Sequence, residues 1–263
     1  MRLAHAEQLL QELGVTEPGD IDLEAIAHYV GAKVRFRKLE GCEAHIVGGV
    51  DQAIITINDR SPFRRSRFSI AHELGHWRYH RGRQLVCRVD DFHPRTVASP
   101  ERVADSFAAD LLMPHYLFKP LARRHAKLTF KAVDALAEEF KTSRTATAIR
   151  LVESDHSSAV LVCHRQKGRK WFTRAPSVPE KWFPREELDA QSSALGVLFG
   201  KVGEDAHPRR IGADAWFDRW DAKNFEVYEQ SIRTGDGEIV TIITVPDSRM
   251  LRDEDDRGHS RFR

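Results

Sequence analysis

Cysteine is scarce: the 263 residues include three, Cys42, Cys87 and Cys163, far apart and in no Cys-x-x-Cys pair. An odd, scattered set argues against a disulfide framework and against a thiolate zinc site, and a reducing cytoplasm is the expected setting. Long apolar runs are missing too. None approaches the roughly 20 residues needed to span a bilayer, so no membrane partner is expected. The opening MRLAHAEQLLQELG is amphipathic and carries acids, which reads as neither a signal nor a transit peptide. An excess of one charge is also lacking, since 41 Lys and Arg face 39 Asp and Glu, for a net charge of +2. The sequence has no internal repeat, no low-complexity tract and no RNA- or DNA-binding signature with interleaved aromatics.

What is left is the composition of an ordinary globular protein, 41% hydrophobic and 30% charged. The length suits one large domain or two to three small ones. Its charge is unevenly spread: from Arg60 to Arg88 there are eight arginines and a single acid, Glu73. Such a run is either a solvated helix face and loop, or a basic surface suited to an acidic protein segment or to nucleic acid.

HAEQLLQELG and DLEAIAHYVGA space their apolar residues as helices do, with Gly14 and Gly31 as stops. AKVRFRKL and AHIVGGVDQAIITIN are rich in β-branched residues and alternate, giving two or three strands with a turn near Gly48-Gly49. Ser61-Pro62 opens a helix that runs to about His80, and an Arg-rich loop follows. Ser99 as N-cap, Pro100 at N1 and Glu101 in the first turn start the next helix, which ends before Pro114. HYLFKPLARRH and FKAVDALAEEFKTSRTATAIRLVES continue the helical pattern. Beyond SDHSSA the texture changes. AVLVCHR and KWFTR read as a hairpin, ALGVLFG as a strand, and FEVYEQSIRTGDGEIVTIITV as two long strands joined through Gly-Asp-Gly.

The expected fold class is α+β in four parts: a domain over residues 1–127, a helical segment over 128–155, a second α+β domain over 159–248 and a charged tail over 249–263. The tail has almost no apolar residues and is expected to be disordered. Within the helical segment, LAEEFKTSRTATAIRLVE has the helix, polar turn (Lys141-Thr142-Ser143) and helix of a helix-turn-helix. The turn lacks glycine, so a helical pair that packs on the first domain or docks a partner is the other reading.

The chemistry concentrates in FSIAHELGHWRYH, residues 68–80. Residues four apart share one face of an α-helix, so the imidazoles of His72 and His76 can reach one cation. Glu73 falls beside the first, placed to act on a water without ligating the metal. That is the H-E-x-x-H arrangement of two zinc ligands and a general base. His80 is about 12 Å from His72 along the axis, too far to share bonds near 2 Å, and is given a packing or hydrogen-bonding role. Glu101 is the better third ligand. Asp105, one turn later, is placed to accept the N–H of a metal-bound histidine and fix its orientation.

Together, RFSIAHELGHWRYH and ERVADSFAADLLMP resemble the ImmA/IrrE family of bacterial metallopeptidases, which have a short gluzincin-type core. In weaker form the resemblance extends from about residue 20 to 150. It implies that His72, His76 and Glu101 bind Zn2+, with another divalent metal such as Mn2+ as the alternative, and that Glu73 is the catalytic base. It also implies that AIITIN, ahead of the helix, pairs with extended substrate. Members of the family cut a helix-turn-helix transcriptional repressor and so derepress phage, mobile-element or stress-response genes. Such a repressor is the expected partner. In IrrE-type proteins a similar helical segment leads to a GAF-like sensory domain, which residues 159–248 would form here.

The expected reaction is metal-assisted peptide hydrolysis, with Glu73 moving the proton and a further donor steadying the oxyanion. Tyr79, His93 and Tyr116 are all available for that last role. His164, His207 and the tryptophans read as core and surface residues. Two rivals stand beside the enzyme: a DNA-binding regulator with a non-catalytic metal site, and a protein that sequesters a repressor without cutting it.

Overall fold

The computed structural model describes residues 5–80, 85–87, 99–235 and 237–252, with backbone alone at 85–87. His93, Arg81, Arg83 and Arg88 of the basic run, and the tail from residue 253 lie outside the described residues. The chain divides into two compact units, Met1–Leu121 with Leu136–Ala146, and Ala122–Ala135 with Thr147–Arg263. Both mix helices with a sheet.

In the first unit, α1 (His5–Glu12) and α2 (Leu23–Tyr29) are followed by glycines in the left-handed region, Gly14 at φ +74° and Gly31 at φ +83°. Asp22 caps α2, its Oδ1 accepting from the backbone N–H of Glu24 and Ala25 at 3.0 and 3.1 Å. This satisfies donors that a helix start otherwise leaves open. Strands β1 (Ala32–Arg37), β2 (Ala44–Gly48), β3 (Ala53–Asn58) and β4 (Leu85–Cys87) lie in the order β1-β3-β2-β4. β1 runs parallel to β3, while β2 is antiparallel to both β3 and β4.

β3 corrects one expectation. Ile55 faces Val34 across one edge and Ile46 across the other, so AIITIN has no free edge to pair with a substrate. The reason is in its composition: Ile55 and Ile57 are wholly buried, as in a strand at the centre of a sheet. Among the described residues the outer edges belong to β1 and β4, and β4 falls where an Arg-rich loop was expected.

One face of the sheet carries α3 (Phe63–Tyr79), beside which lies α4 (Pro100–Leu112), followed in the chain by α5 (His115–Ala122). Ala71, Ala104, Ala108 and Leu111 have no exposure. Trp77 ties α3 to the end of α2, its Nε1–H donating to the Val30 carbonyl at 2.7 Å. The helical segment forms two helices, α6 (Phe130–Glu139) and α7 (Arg144–Glu153), joined through Lys141 at φ +54°. Their turn belongs to the first unit, where Arg64 of α3 pairs with Glu138 and donates to the Thr142 carbonyl at 3.0 Å.

The second unit holds an antiparallel sheet of β5 (Ala159–Arg165), β6 (Gly168–Arg174), β7 (Arg209–Gly212), β8 (Glu226–Thr234) and β9 (Glu238–Thr244), in the order β6-β5-β9-β8-β7. The hairpins expected at AVLVCHR/KWFTR and at FEVYEQ/GEIVTIITV are present. ALGVLFG is not a strand: Ser193–Leu198 forms a helix, α8. Ser192 caps it, its hydroxyl accepting from the Ala194 N–H at 3.2 Å, and Ala194 and Val197 bury one helical face. Short apolar runs do not separate strand from helix by periodicity, and here the capping serine decides. Ser248–Leu251, read from sequence as the start of the tail apart from Ser248, forms a 3-10 turn with Met250 buried. Among the described residues no helix is long and apolar enough to cross a membrane.

Candidate metal centre

Two helices supply the site. His72 and His76 stand one turn apart on α3, and Glu101 and Asp105 one turn apart at the head of α4. Ser99 fixes where α4 begins, its hydroxyl accepting from the Arg102 N–H at 3.2 Å, with Pro100 at the first helical position.

Close approach of the two helices depends on Gly75, the third residue after His72. A Cβ at this position would lie 2.8 Å from the Cα and 3.1 Å from the carbonyl oxygen of Ala104. With no side chain there, the backbones touch, and Glu101 and Asp105, flanking Ala104 on α4, come within reach of the histidines. Sequence reading passed over Gly75. The available signal was a helix-disfavouring residue inside an otherwise strong helix.

The ligand atoms converge. His72 Nε2 lies 3.0 Å from His76 Nε2 and 3.1 Å from Glu101 Oε2, and His76 Nε2 lies 3.4 Å from Glu101 Oε2. These three residues form a group able to hold a metal ion. Ligands about 2.0–2.1 Å from a tetrahedral zinc are about 3.3 Å apart, so the triangle is of the right size. Two imidazoles and a carboxylate are also a donor set that a borderline divalent cation favours. The residues present fit a metal.

On the far side of each ring lies a partner. Asp105 Oδ1 is 2.8 Å from His72 Nδ1, which as a donor leaves the Nε2 lone pair facing Glu101 and His76. His80 Nδ1 is 3.2 Å from His76 Nδ1, so the residue too distant to share the site instead touches the outer nitrogen of the second histidine. His72 and His76 are 8% and 1% exposed, whereas the Glu101 and Asp105 side chains keep 27% and 34%, so the site opens on the α4 side.

Electrostatics separates the two rings. Burial acts most strongly on His72 and pulls its pKa down, but the hydrogen bond and charge of Asp105, with the charges of Glu73 and Glu101, leave it above the ordinary imidazole value. Burial, then the neighbouring His72, lower His76 to about 4, so its ring is neutral at pH 7 and suited to ligation. Glu73 has no exposure. Its charge is felt by His72 on one side and by Cys42, in the β1–β2 loop, on the other; burial and then Glu73 raise the Cys42 thiol pKa.

The three oxyanion candidates part company. Tyr116 donates its hydroxyl to the Val15 carbonyl at 2.9 Å and is thereby committed elsewhere. Tyr79 is 42% exposed, with its ring against His5, His80 and Phe107, and burial raises its pKa. His93 lies outside the described residues. In the second unit, His164 is buried against Trp216 and His207 is exposed.

A helix presenting two histidines to a carboxylate on the next helix, over a mixed sheet, is the framework of a metallopeptidase-like domain. Residues 27–152 match the family model Peptidase_M78, the IrrE N-terminal-like domain, which supports an ImmA/IrrE family assignment for that region. No curated protein matches the sequence. Among solved structures, a Mycobacterium tuberculosis transcriptional regulator is similar, with a TM-score of 0.59 at 13% identity over 91% of this chain and 74% of that one. At that identity the likeness is one of fold.

Proposed function

We propose that the protein is a zinc-dependent endopeptidase that cuts a helix-turn-helix transcriptional repressor in a reducing cytoplasm. One observation carries the hydrolytic part: two histidine Nε2 atoms and a carboxylate oxygen converge beside a fully buried glutamate. His72, His76 and Glu101 would hold the metal, which when bound supplies Lewis acidity and lowers the pKa of a water towards ~7. Asp105 holds His72 in the required tautomer, and His80 backs His76. Glu73, desolvated, takes the proton of the attacking water and passes it to the leaving amine. Tyr79, near the end of α3 with its ring beside His80, is the remaining described candidate to donate to the developing oxyanion.

The choice of a repressor rests on the family and agrees with the similarity in fold to a transcriptional regulator. The gluzincin-type core is supported by the carboxylate on the helix after the histidine pair, and a separate C-terminal α+β domain, read as GAF-like from the family resemblance, by the five-stranded antiparallel sheet of the second unit. The DNA-binding rival is weakened by α7, in which Glu153 alone is exposed, whereas a helix that reads a groove needs a free face.

The test is Glu73→Gln with a helix-turn-helix protein encoded beside this chain. The amide should leave metal content and fold intact and slow cleavage by about 10²–10⁴-fold, read by mass spectrometry of the products. Cleavage at the parent rate would remove Glu73 as the base. Binding without cleavage by the metal-loaded parent would favour sequestration.

A further inference from the structure

A pocket of about 500 Å³ opens in the first unit among the start of α2, the end of β1, the β3–α3 loop and the first half of α3. Its α3 residues, Phe63, Ser66, Arg67 and Ile70, lie about 120–180° round the helix from His72, at 100° per residue. The pocket therefore lies on the face of α3 opposite the metal centre and plays no part in the chemistry proposed there.

Its lining has two characters. Ile21, Leu23 and Ile70 form an apolar floor, each under 5% exposed, and Phe36 and Phe63 stand at the mouth, 47% and 64% exposed. Two cations face the same space. Arg67 is half-buried: its Nη1 donates to the Ile21 carbonyl at 3.3 Å and its buried Nε–H has no partner. Burial lowers its pKa, with the charge of Asp22 acting the other way. Lys141 is held beside α3 by the bonds of Arg64 to Glu138 and Thr142. Among the described residues, neither cation has a carboxylate within ion-pair distance.

A part-buried guanidinium whose Nε–H has no partner and which has no ion-paired carboxylate is completed most readily by something anionic. The acids of the lining, Asp22, Glu24 and Asp59, are exposed, and Asp22 spends its Oδ1 on capping α2. They weigh against a dianion such as phosphate and leave room for a single negative charge. The volume falls in the usual range for a small-molecule site, about 300–1,000 Å³. We infer that this pocket binds a small monocarboxylate with an apolar or aromatic body, its carboxylate meeting Arg67 and Lys141 and its body lying between Phe36, Phe63 and the floor.

The experiment titrates the full-length protein with 3-phenylpropionate and follows methyl signals of isoleucine and leucine by NMR. Saturable shifts are expected at Ile21, Leu23 and Ile70. The neutral 3-phenylpropionamide should bind roughly tenfold or more weakly, as loss of a charge-assisted bond requires. Arg67→Met, which keeps the apolar stem, should weaken the carboxylate by a similar factor and leave metal content unchanged. Lys141→Gln, at an exposed position where folding is not in question, should weaken it up to about fivefold. The inference fails if no saturable shift occurs at millimolar probe, if the shifts lie elsewhere, if amide and carboxylate bind alike, or if folded Arg67→Met binds as the parent does. An acetylated tripeptide ending in phenylalanine that binds more than tenfold tighter would assign the site to a protein C-terminus and overturn the small-molecule reading.

Discussion

Glu101 and Asp105 reach the same histidine from one face of α4, and the structure gives them different positions. Glu101 Oε2 is within 3.4 Å of both Nε2 atoms, while Asp105 meets only Nδ1 of His72, on the outer side of the ring. On the proposed assignment their removal should differ in kind. Glu101→Ala deletes a ligand, and purified protein should carry well under one metal per chain by elemental analysis. Asp105→Ala leaves three ligands but frees the His72 ring, and affinity or turnover should fall about 10–100-fold. Asp105→Asn keeps one acceptor oxygen and should be milder. Equal metal content in Glu101→Ala and the parent would take Glu101 out of the metal's coordination. The convergence of His72 and His76 was legible because a helix turns the i, i+4 spacing directly into a shared face, and the hydrogen-bonding role of His80 followed from the same helix, one turn beyond His76. Cys42 was not legible, since what it meets depends on the β1–β2 loop.

At the scale of elements, the site depends on how closely α3 and α4 approach. Gly75→Ala tests this without touching a ligand. Alanine favours the helix by about 1 kcal/mol over glycine, while overpacking costs about 1–3 kcal/mol, so stability should change little or fall slightly. The clash is with the backbone of Ala104, which cannot rotate away, so α4 must shift and carry Glu101 and Asp105 with it. Metal affinity should therefore fall about 10–100-fold, as measured by competition with a chelator. Parent-like affinity would show that the helices can separate without cost to the site. The same scale shows what sequence could and could not convey. Start signals such as Ser99-Pro100 located α4 because capping is local. β3 was read as an open strand because which neighbours flank it is a matter of topology, and β4 was missed because three residues carry too little pattern. α8 was misread because its apolar run is short enough to suit either period.

At the scale of the whole molecule, all proposed ligands lie in the first unit, while the second has a polar keystone of its own. Glu229 on β8 is 2% exposed and accepts from Ser192 Oγ at 2.6 Å, Ser193 N–H at 2.8 Å, Ser193 Oγ at 2.9 Å and Trp216 Nε1–H at 2.8 Å. These bonds tie the start of α8 and the Trp216 segment to the sheet. A carboxylate so supplied with donors tolerates burial, but removing it strands several donors together. Glu229→Ala should destabilise the second unit by about 2–5 kcal/mol in chemical denaturation followed by tryptophan fluorescence, to which buried Trp182 and Trp216 contribute. Glu229→Gln keeps the volume and one acceptor oxygen but turns an amide donor towards the hydroxyls and N–H groups, so it should lose part of that stability. Metal content should stay at the parent level in both variants, because none of the proposed ligands lies beyond Glu101. Loss of metal from a folded Glu229→Ala protein would make the second unit a contributor to the metal centre, and stability equal to the parent would reduce the Glu229 bonds to ornament on a core held by its apolar residues alone.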